Sequence, residues 1–233
     1  MSKKRFRQKR KPWFRAFKQI VRVRYRKPKF TYLGDKPTTR SIILSNHVGA
    51  AAPLIFELYA DFPIRMWGTW EMTMGLKSVY KYLTNVYYHQ KRHWNIHRAR
   101  MSCLFAAPFT NLYYKGMNLI PTYPDARFLK TVKTSLKAIR DDGDNIVIFP
   151  EDSHDGYFDE LNKFYGGFVV FAQALLKHGV DVPIFVAYYK KRKHEFVFDK
   201  PILFSKLKER FNSREEIAGY LLDKCNALGN SDN

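Results

Sequence analysis

The chain has 233 residues, 45% of them hydrophobic and 16% aromatic, enough to bury one large core and to exclude a disordered chain. Forty-one Lys and Arg against 21 Asp and Glu give a formal charge of +20, which points to an acidic partner or an anionic surface. Cys103 and Cys225 form no CxxC pair, which argues against a disulfide framework and favours a reducing, cytosolic setting.

Residues 1–34 hold 14 of the cations and no acid, leaving 27 bases against 21 acids in the remainder. Pro12 and Pro28 bracket a short helix over 13–27 in which Phe14, Phe17, Val21 and Tyr25 share one side, while Arg15, Lys18, Arg22 and Arg26 spread over the other. Such a basic amphipathic helix is expected to lie on an anionic membrane surface through residues 1–30, each engaged cation contributing about 1 kcal/mol. The expected organisation is therefore a membrane-surface segment, 1–34, and a catalytic-type domain, 35–233. The apolar run is too short and too charged for a secretory signal, and no stretch reaches the ~18 apolar residues of a spanning helix. No nucleic-acid motif is present in the body, so nucleic acid is not the expected partner.

From residue 41 the chain alternates strands and helices. Ser41–Ser45 is a β-branched apolar run, Pro53–Ala60 helical, and Pro63–Trp67 a short strand. Leu76–Tyr88 and Arg98–Tyr114 read as helices. Met117–Pro121 is strand-like, and Asp125 caps a helix carrying Phe128, Leu129, Val132, Leu136 and Ile139 at a 3.6 period up to Asp141-Asp142-Gly143. Asn145–Phe149 is a buried strand, Lys163–His178 a helix and Val182–Tyr188 a strand; strand, crossover helix, strand predicts a parallel, right-handed pair. Glu195–Phe198 is an expected edge strand, and Ser213 with Glu216 forms a capping box opening the last helix. The fold class is α/β: a mixed, mainly parallel central sheet flanked by helices.

Two short segments carry the chemistry. Asn46-His47 follows the first buried strand and precedes an Ala-rich helical start, the strand-to-helix position where α/β enzymes place reactive groups. Phe149-Pro150-Glu151-Asp152-Ser153-His154 follows the later strand in the same way. A third group, His89, His93 and His97, recurs every four residues but lies among Lys91, Arg92, Arg98 and Arg100 with no carboxylate, which fits a solvated basic face rather than a metal site.

The motif set resembles the glycerolipid (lysophospholipid, PlsC-like) acyltransferase family across about residues 40–190. Asn46-His47 and Pro53 match its Asn-His, four residues, Asp-Pro motif, with Ala52 where the family has Asp; Phe149-Pro150-Glu151, Phe164, Gly167 and Val182-Pro183-Ile184 match later motifs in order. Leu119-Ile120-Pro121-Thr122 matches the strand of the second motif, and Arg127 stands near its arginine position. The chain is thereby identified as a divergent member lacking the motif Asp. The resemblance implies His47 as general base, because acyl transfer to a hydroxyl needs a group titrating near neutrality to take the acceptor's proton. It implies substrate contacts from Asn46, Glu151, Ser153, His154 and Arg127, an acyl-CoA or acyl carrier protein co-substrate, no resident cofactor or metal, a lipid acceptor, and a peripheral location at the cytoplasmic membrane face. Ala52 cannot orient an imidazole. Glu57 is expected to point away on the helix, and Glu71 is a candidate replacement. Five acids within residues 151–160 are expected to repel a phosphate acceptor and favour a neutral, sugar-bearing or cationic one. The alternative is a catalytically reduced protein of this fold that binds a lipid or partner without turnover.

Overall fold

The computed structural model describes residues 10–231. Its eight-stranded sheet runs β1-β7-β6-β2-β5-β3-β4, with β8 beside β6. The strands are β1 (Lys29–Tyr32), β2 (Ile42–Ser45), β3 (Ile64–Thr69), β4 (Ile120–Thr122), β5 (Asn145–Ile148), β6 (Pro183–Lys190), β7 (Glu195–Phe198) and β8 (Ile202–Leu203). β6 is antiparallel to β7 and β8, and the other pairings are parallel, so the sheet is mixed and mainly parallel.

The central strands alternate their side chains between two cores. Ile42, Leu44, Ile146, Ile148, Ile184 and Val186 enter one cluster, and Ile43, Val147, Phe185 and Ala187 enter the other. This follows from the two-residue period of a strand: a run apolar at every position needs cover on both faces. Helices α5 (Phe128–Lys137), α6 (Gly167–Lys177), α7 (Phe204–Arg210) and α8 (Arg214–Asn230) contribute to the first core. Helices α1 (Pro12–Arg24), α2 (Ala51–Tyr59) and the C-terminal end of α4 (Ile96–Met117) contribute to the second. Helix α3 (Leu76–Tyr82) continues as a π-helix, Leu83–Gln90, against α4.

Several expectations change in the folded chain. The parallel relation of β4, β5 and β6 holds, but each crossover passes over an older strand: β3 lies between β4 and β5, and β2 between β5 and β6. Glu195–Phe198 is not an edge, because β1 pairs with it in parallel from Lys29↔Glu195 to Tyr32↔Phe198. The expected start of α6 at Lys163 moves to Gly167, since Phe164 makes an isolated bridge with Glu151. Ser213 does cap α8 by accepting from Glu216 N at 3.1 Å, while the Glu216 carboxylate accepts from Asn212 N at 3.0 Å rather than from Ser213.

The 1–34 segment is not set apart from the body where it is described; Lys3 to Lys9 lie outside the described residues. β1 belongs to the sheet, and α1 turns its aromatic side inward: Phe14 is fully buried, and Phe17 and Val21 pack against the second core. Phe14 sits over Gly116 of α4 so closely that a Cβ there would lie 1.9 Å from its ring. Ion pairing reinforces the contact. Arg10 donates to both Glu57 carboxylate oxygens at 3.0 and 2.9 Å, Lys18 lies 3.1 Å from Oε1, and Arg22 donates to the Leu58 carbonyl at 3.1 Å. Burial holds the Lys18 ammonium below its ordinary pKa despite Glu57. The side of α1 read as membrane-facing is thus the side that packs on the protein.

Candidate active site

β2 delivers Asn46 and His47 at its C-terminal end, and the chain then turns through Val48 and Gly49 into α2. Both turn residues have positive φ, 46° and 65°. A left-handed conformation is unfavourable for β-branched Val48, so this turn is held against strain of about 1–3 kcal/mol. It brings the Gly49 carbonyl onto His47 Nδ1. A carbonyl only accepts, so Nδ1 carries the hydrogen and Nε2 keeps the basic lone pair. Gly49 thereby fixes the imidazole tautomer, a task done by a carboxylate in His-Asp pairs.

The ring is packed edge-on to Phe149 and stacked on Tyr157, both at 5.1 Å between centroids. Burial, with a smaller push from Lys91, lowers the His47 pKa to about 4, against the raising effect of its Gly49 bond. At neutral pH the imidazole is uncharged and available as a base.

His47 lines a cavity of about 1270 Å³ bounded by α1, α2, β3, the α3–π segment, α4, β4 and the loop after β5. Most of the wall is aromatic or aliphatic: Phe17, Trp67, Trp70, Tyr87, Phe109 and Tyr157 are among the residues facing it. Among the described residues the charged side chains on its wall are Glu71, Lys91 and Arg214. A large apolar cavity with a few convergent polar groups suits a long-chain ligand whose polar end meets His47.

The other expected contacts divide sharply. Ser153 lines the cavity and accepts from Lys91 Nζ at 2.6 Å. Asn46 is fully buried and does not face it: its side chain accepts from Tyr189 N at 2.7 Å and donates to Tyr189 O at 3.2 Å, clamping β2 to β6. Glu151 also lies beneath the wall, where Oε2 accepts from His47 N at 3.0 Å and Oε1 has no partner. Burial raises the Glu151 pKa to about 7, although the His47 amide and Lys91 oppose the shift. Asn46 and Glu151 thus hold backbone, Asn46 that of Tyr189 and Glu151 that of His47, and neither lines the cavity. His154 is exposed and contacts Gln90 and Asp155, each at 3.1 Å. Arg127 is exposed as well, held by Asp125 at 2.7 Å and stacked over Tyr123 at 4.6 Å; its bonds lower the Asp125 pKa to about 2. Neither His154 nor Arg127 lines the cavity.

Two further expectations are not met by the geometry. None of the five acids of residues 151–160 faces the cavity, whereas Lys91 does, so the charge argument against a phosphate acceptor does not hold. Glu71 lines the cavity, but its carboxylate accepts from the Thr69 hydroxyl rather than from His47. Glu57 is directed away from His47, as expected, into Arg10 and Lys18. Ala52 is buried in the second core.

The His89, His93 and His97 stripe does not exist as one helix. The π-helix ends at Gln90, His93 has φ of 54°, and α4 starts at Ile96 with Asn95 accepting from His97 N at 2.9 Å. Among the described residues no cluster of His, Cys, Asp or Glu could hold a metal. Lys91, Tyr157 and Gly49 are the site residues that motif spacing did not reveal. Lys91 was hidden in the basic stretch around the histidines, and Gly49 acts through its backbone.

No protein-family model matches the chain, and no curated protein matches it. Among solved structures it is similar to the 1-acyl-sn-glycerophosphate (LPA) acyltransferase PlsC from Thermotoga maritima, with a TM-score of 0.51 and 13% identity, over 94% of this chain and 78% of that one. The chain shares the PlsC fold. At that identity the likeness speaks for architecture, and the chemistry rests on the site itself.

Proposed function

We propose that the protein is an acyltransferase that moves a fatty acyl group from an acyl thioester, acyl-CoA or acyl carrier protein, to a hydroxyl or amine of a lipid-type acceptor. It would work peripherally at the cytoplasmic face of a membrane. The observation that carries this reading is His47, its tautomer set by Gly49, in the wall of a cavity lined mainly by apolar and aromatic side chains. The PlsC neighbour, an acyltransferase for an acylated glycerophosphate, supports the reaction class.

In the proposed step Nε2 takes the proton of the acceptor hydroxyl as its oxygen attacks the thioester carbonyl. The tetrahedral intermediate then collapses, the C–S bond breaks, and the leaving thiolate recovers the proton from the imidazolium. A pKa near 4 makes His47 a weak base that is already unprotonated at neutral pH and returns its proton readily. Lys91 places a cation on the same wall, and Ser153 presents a hydroxyl beside it.

A second reading, a catalytically reduced protein of this fold that binds lipid without turnover, is favoured by Ala52, a core residue where a carboxylate would support the imidazolium. Full-length protein with labelled acyl-CoA or acyl carrier protein and a total lipid extract separates the two. Transfer that falls by about 10³-fold or more in His47→Ala is the expected result. Transfer unchanged by that substitution would refute His47 as base, and no transfer with any lipid would leave the binding protein.

A further inference from the structure

Helix α4 turns an apolar face outward. Met101, Leu104, Phe105, Phe109 and Leu112 fall on one side over three turns, and all are exposed, Phe105 at 74% and Phe109 at 68%. Arg98 lies at the N-terminal end of that face and Lys115 at the other, both exposed, and the helix has no Asp or Glu. This is not a core face left unburied by chance. The opposite side of the helix, with Ala99, Cys103 and Ala107, packs on α3 and the π-helix, so the helix is apolar on both sides. An apolar stripe of this length in water is a docking surface.

We infer that the outward face of α4 is the surface that seats the protein on an anionic lipid bilayer. Charge separates this occupant from a second copy of the chain. Pairing two stripes would bring the cations of two molecules together, each carrying +20, whereas an anionic leaflet complements them. Continuity points the same way. Phe109 is both exposed on the stripe and part of the cavity wall, and Thr110, Tyr113, Tyr114 and Met117 of the same helix carry that wall inward. A bilayer-seated stripe therefore sets the cavity against lipid. α1, the helix with the stronger sequence signature, has Phe14 buried and Phe17 and Val21 packed on the second core, and offers Trp13, Ile20 and Val23 outward instead. The inference concerns attachment alone and holds with or without turnover.

The test is co-sedimentation of the full chain with phosphatidylcholine vesicles, with and without phosphatidylglycerol. Wild type is expected to bind the phosphatidylglycerol vesicles, and Leu104→Ser/Phe105→Ser to lose about tenfold or more of that affinity with unchanged thermal stability, since both side chains are exposed. Ile20→Ser/Val23→Ser is expected to bind within about twofold of wild type. Overturning results are undiminished binding by the α4 variant, loss of binding by the α1 variant alone, no binding by wild type, or a wild-type dimer that the α4 variant turns into a monomer. Acyl transfer plays no part in these readouts, so their failure leaves the catalytic proposal standing.

Discussion

Two buried carboxylates are held in contrasting ways. Glu57, near the C-terminal end of α2, has lost all contact with solvent but meets a guanidinium on both oxygens and an ammonium on one. Glu151, by the His47 turn that leads into α2, has a single backbone amide on one oxygen and nothing on the other. The first is a charge with its countercharges and serves to fasten α1 to the body. The second is a carboxylate whose proton affinity has risen into the physiological range, directly behind the candidate base. Chemistry and fastening are thereby placed about one short helix apart, so that the strongly charged clasp sits away from the weakly charged site.

The largest test of this contrast is Glu57→Ala. It leaves Arg10 and Lys18 buried without their carboxylate and should cost about 3–5 kcal/mol in denaturant unfolding. A loss within about 0.5 kcal/mol would mean that the clasp is solvated rather than buried.

Glu151→Gln should behave differently, with an effect that depends on pH. The raised pKa means that folded protein binds the Glu151 proton more tightly than unfolded chain, so wild-type stability is fully present below about pH 4.5 and is lost as pH rises toward 7. Relative to wild type, the Gln variant should gain about 3 kcal/mol between those limits. His47 has the opposite sign. Its depressed pKa means that the unfolded chain binds the proton first, so wild-type stability is lost as pH falls from about 6.5 toward 4. Discounted for partial exposure, wild type should lose about 2 kcal/mol relative to His47→Ala over that window. The two effects offset each other between pH 4.5 and 6.5. Stability curves measured for both variants against wild type would expose the hidden slopes, and two flat differences would show that neither group is shifted.

The smallest effect is expected from Gly49→Ala. No atom blocks a Cβ there within 3.4 Å, so the cost is that of a left-handed alanine, about 1 kcal/mol in stability. Its informative readout is acyl transfer. Alanine keeps the carbonyl that orients His47, so kcat and KM should stay within about twofold of wild type if the left-handed turn is retained; a large fall in kcat at unchanged KM would show that the turn opens and releases the imidazole.

Much of the architecture was legible because the central strands are apolar at every position. Ile42-Ile43-Leu44 and Ile146-Val147-Ile148 can be buried only between two layers, and that alone places the following turns at one edge of the sheet. β1 is masked in the sequence, although Phe30 and Tyr32 alternate as a strand should, because five cations within residues 22–29 give the stretch the character of a surface segment. The place of His47 at the end of a buried strand was legible from the apolar run before it. The work of Asn46 and Glu151 was not, since their partners are the backbones of Tyr189 and His47, 143 and 104 residues away, and main-chain atoms leave no mark in a sequence pattern. Ser153 lies on the cavity wall, whereas its neighbour His154, and Arg127 on a separate loop, are exposed and paired with Asp155 and Asp125.

The sheet order also has a consequence in time. β2, which carries His47, is flanked by β5 and β6, and β1 waits for β7, whose residues follow it by more than 160 positions. A chain emerging from the ribosome at about 5–20 residues per second would hold His47 at the end of an unpaired strand for several seconds before its neighbours exist. The site is therefore among the last features of the molecule to assemble, and a product truncated before residue 183 would have neither the strand that clamps Asn46 nor a finished wall for the cavity.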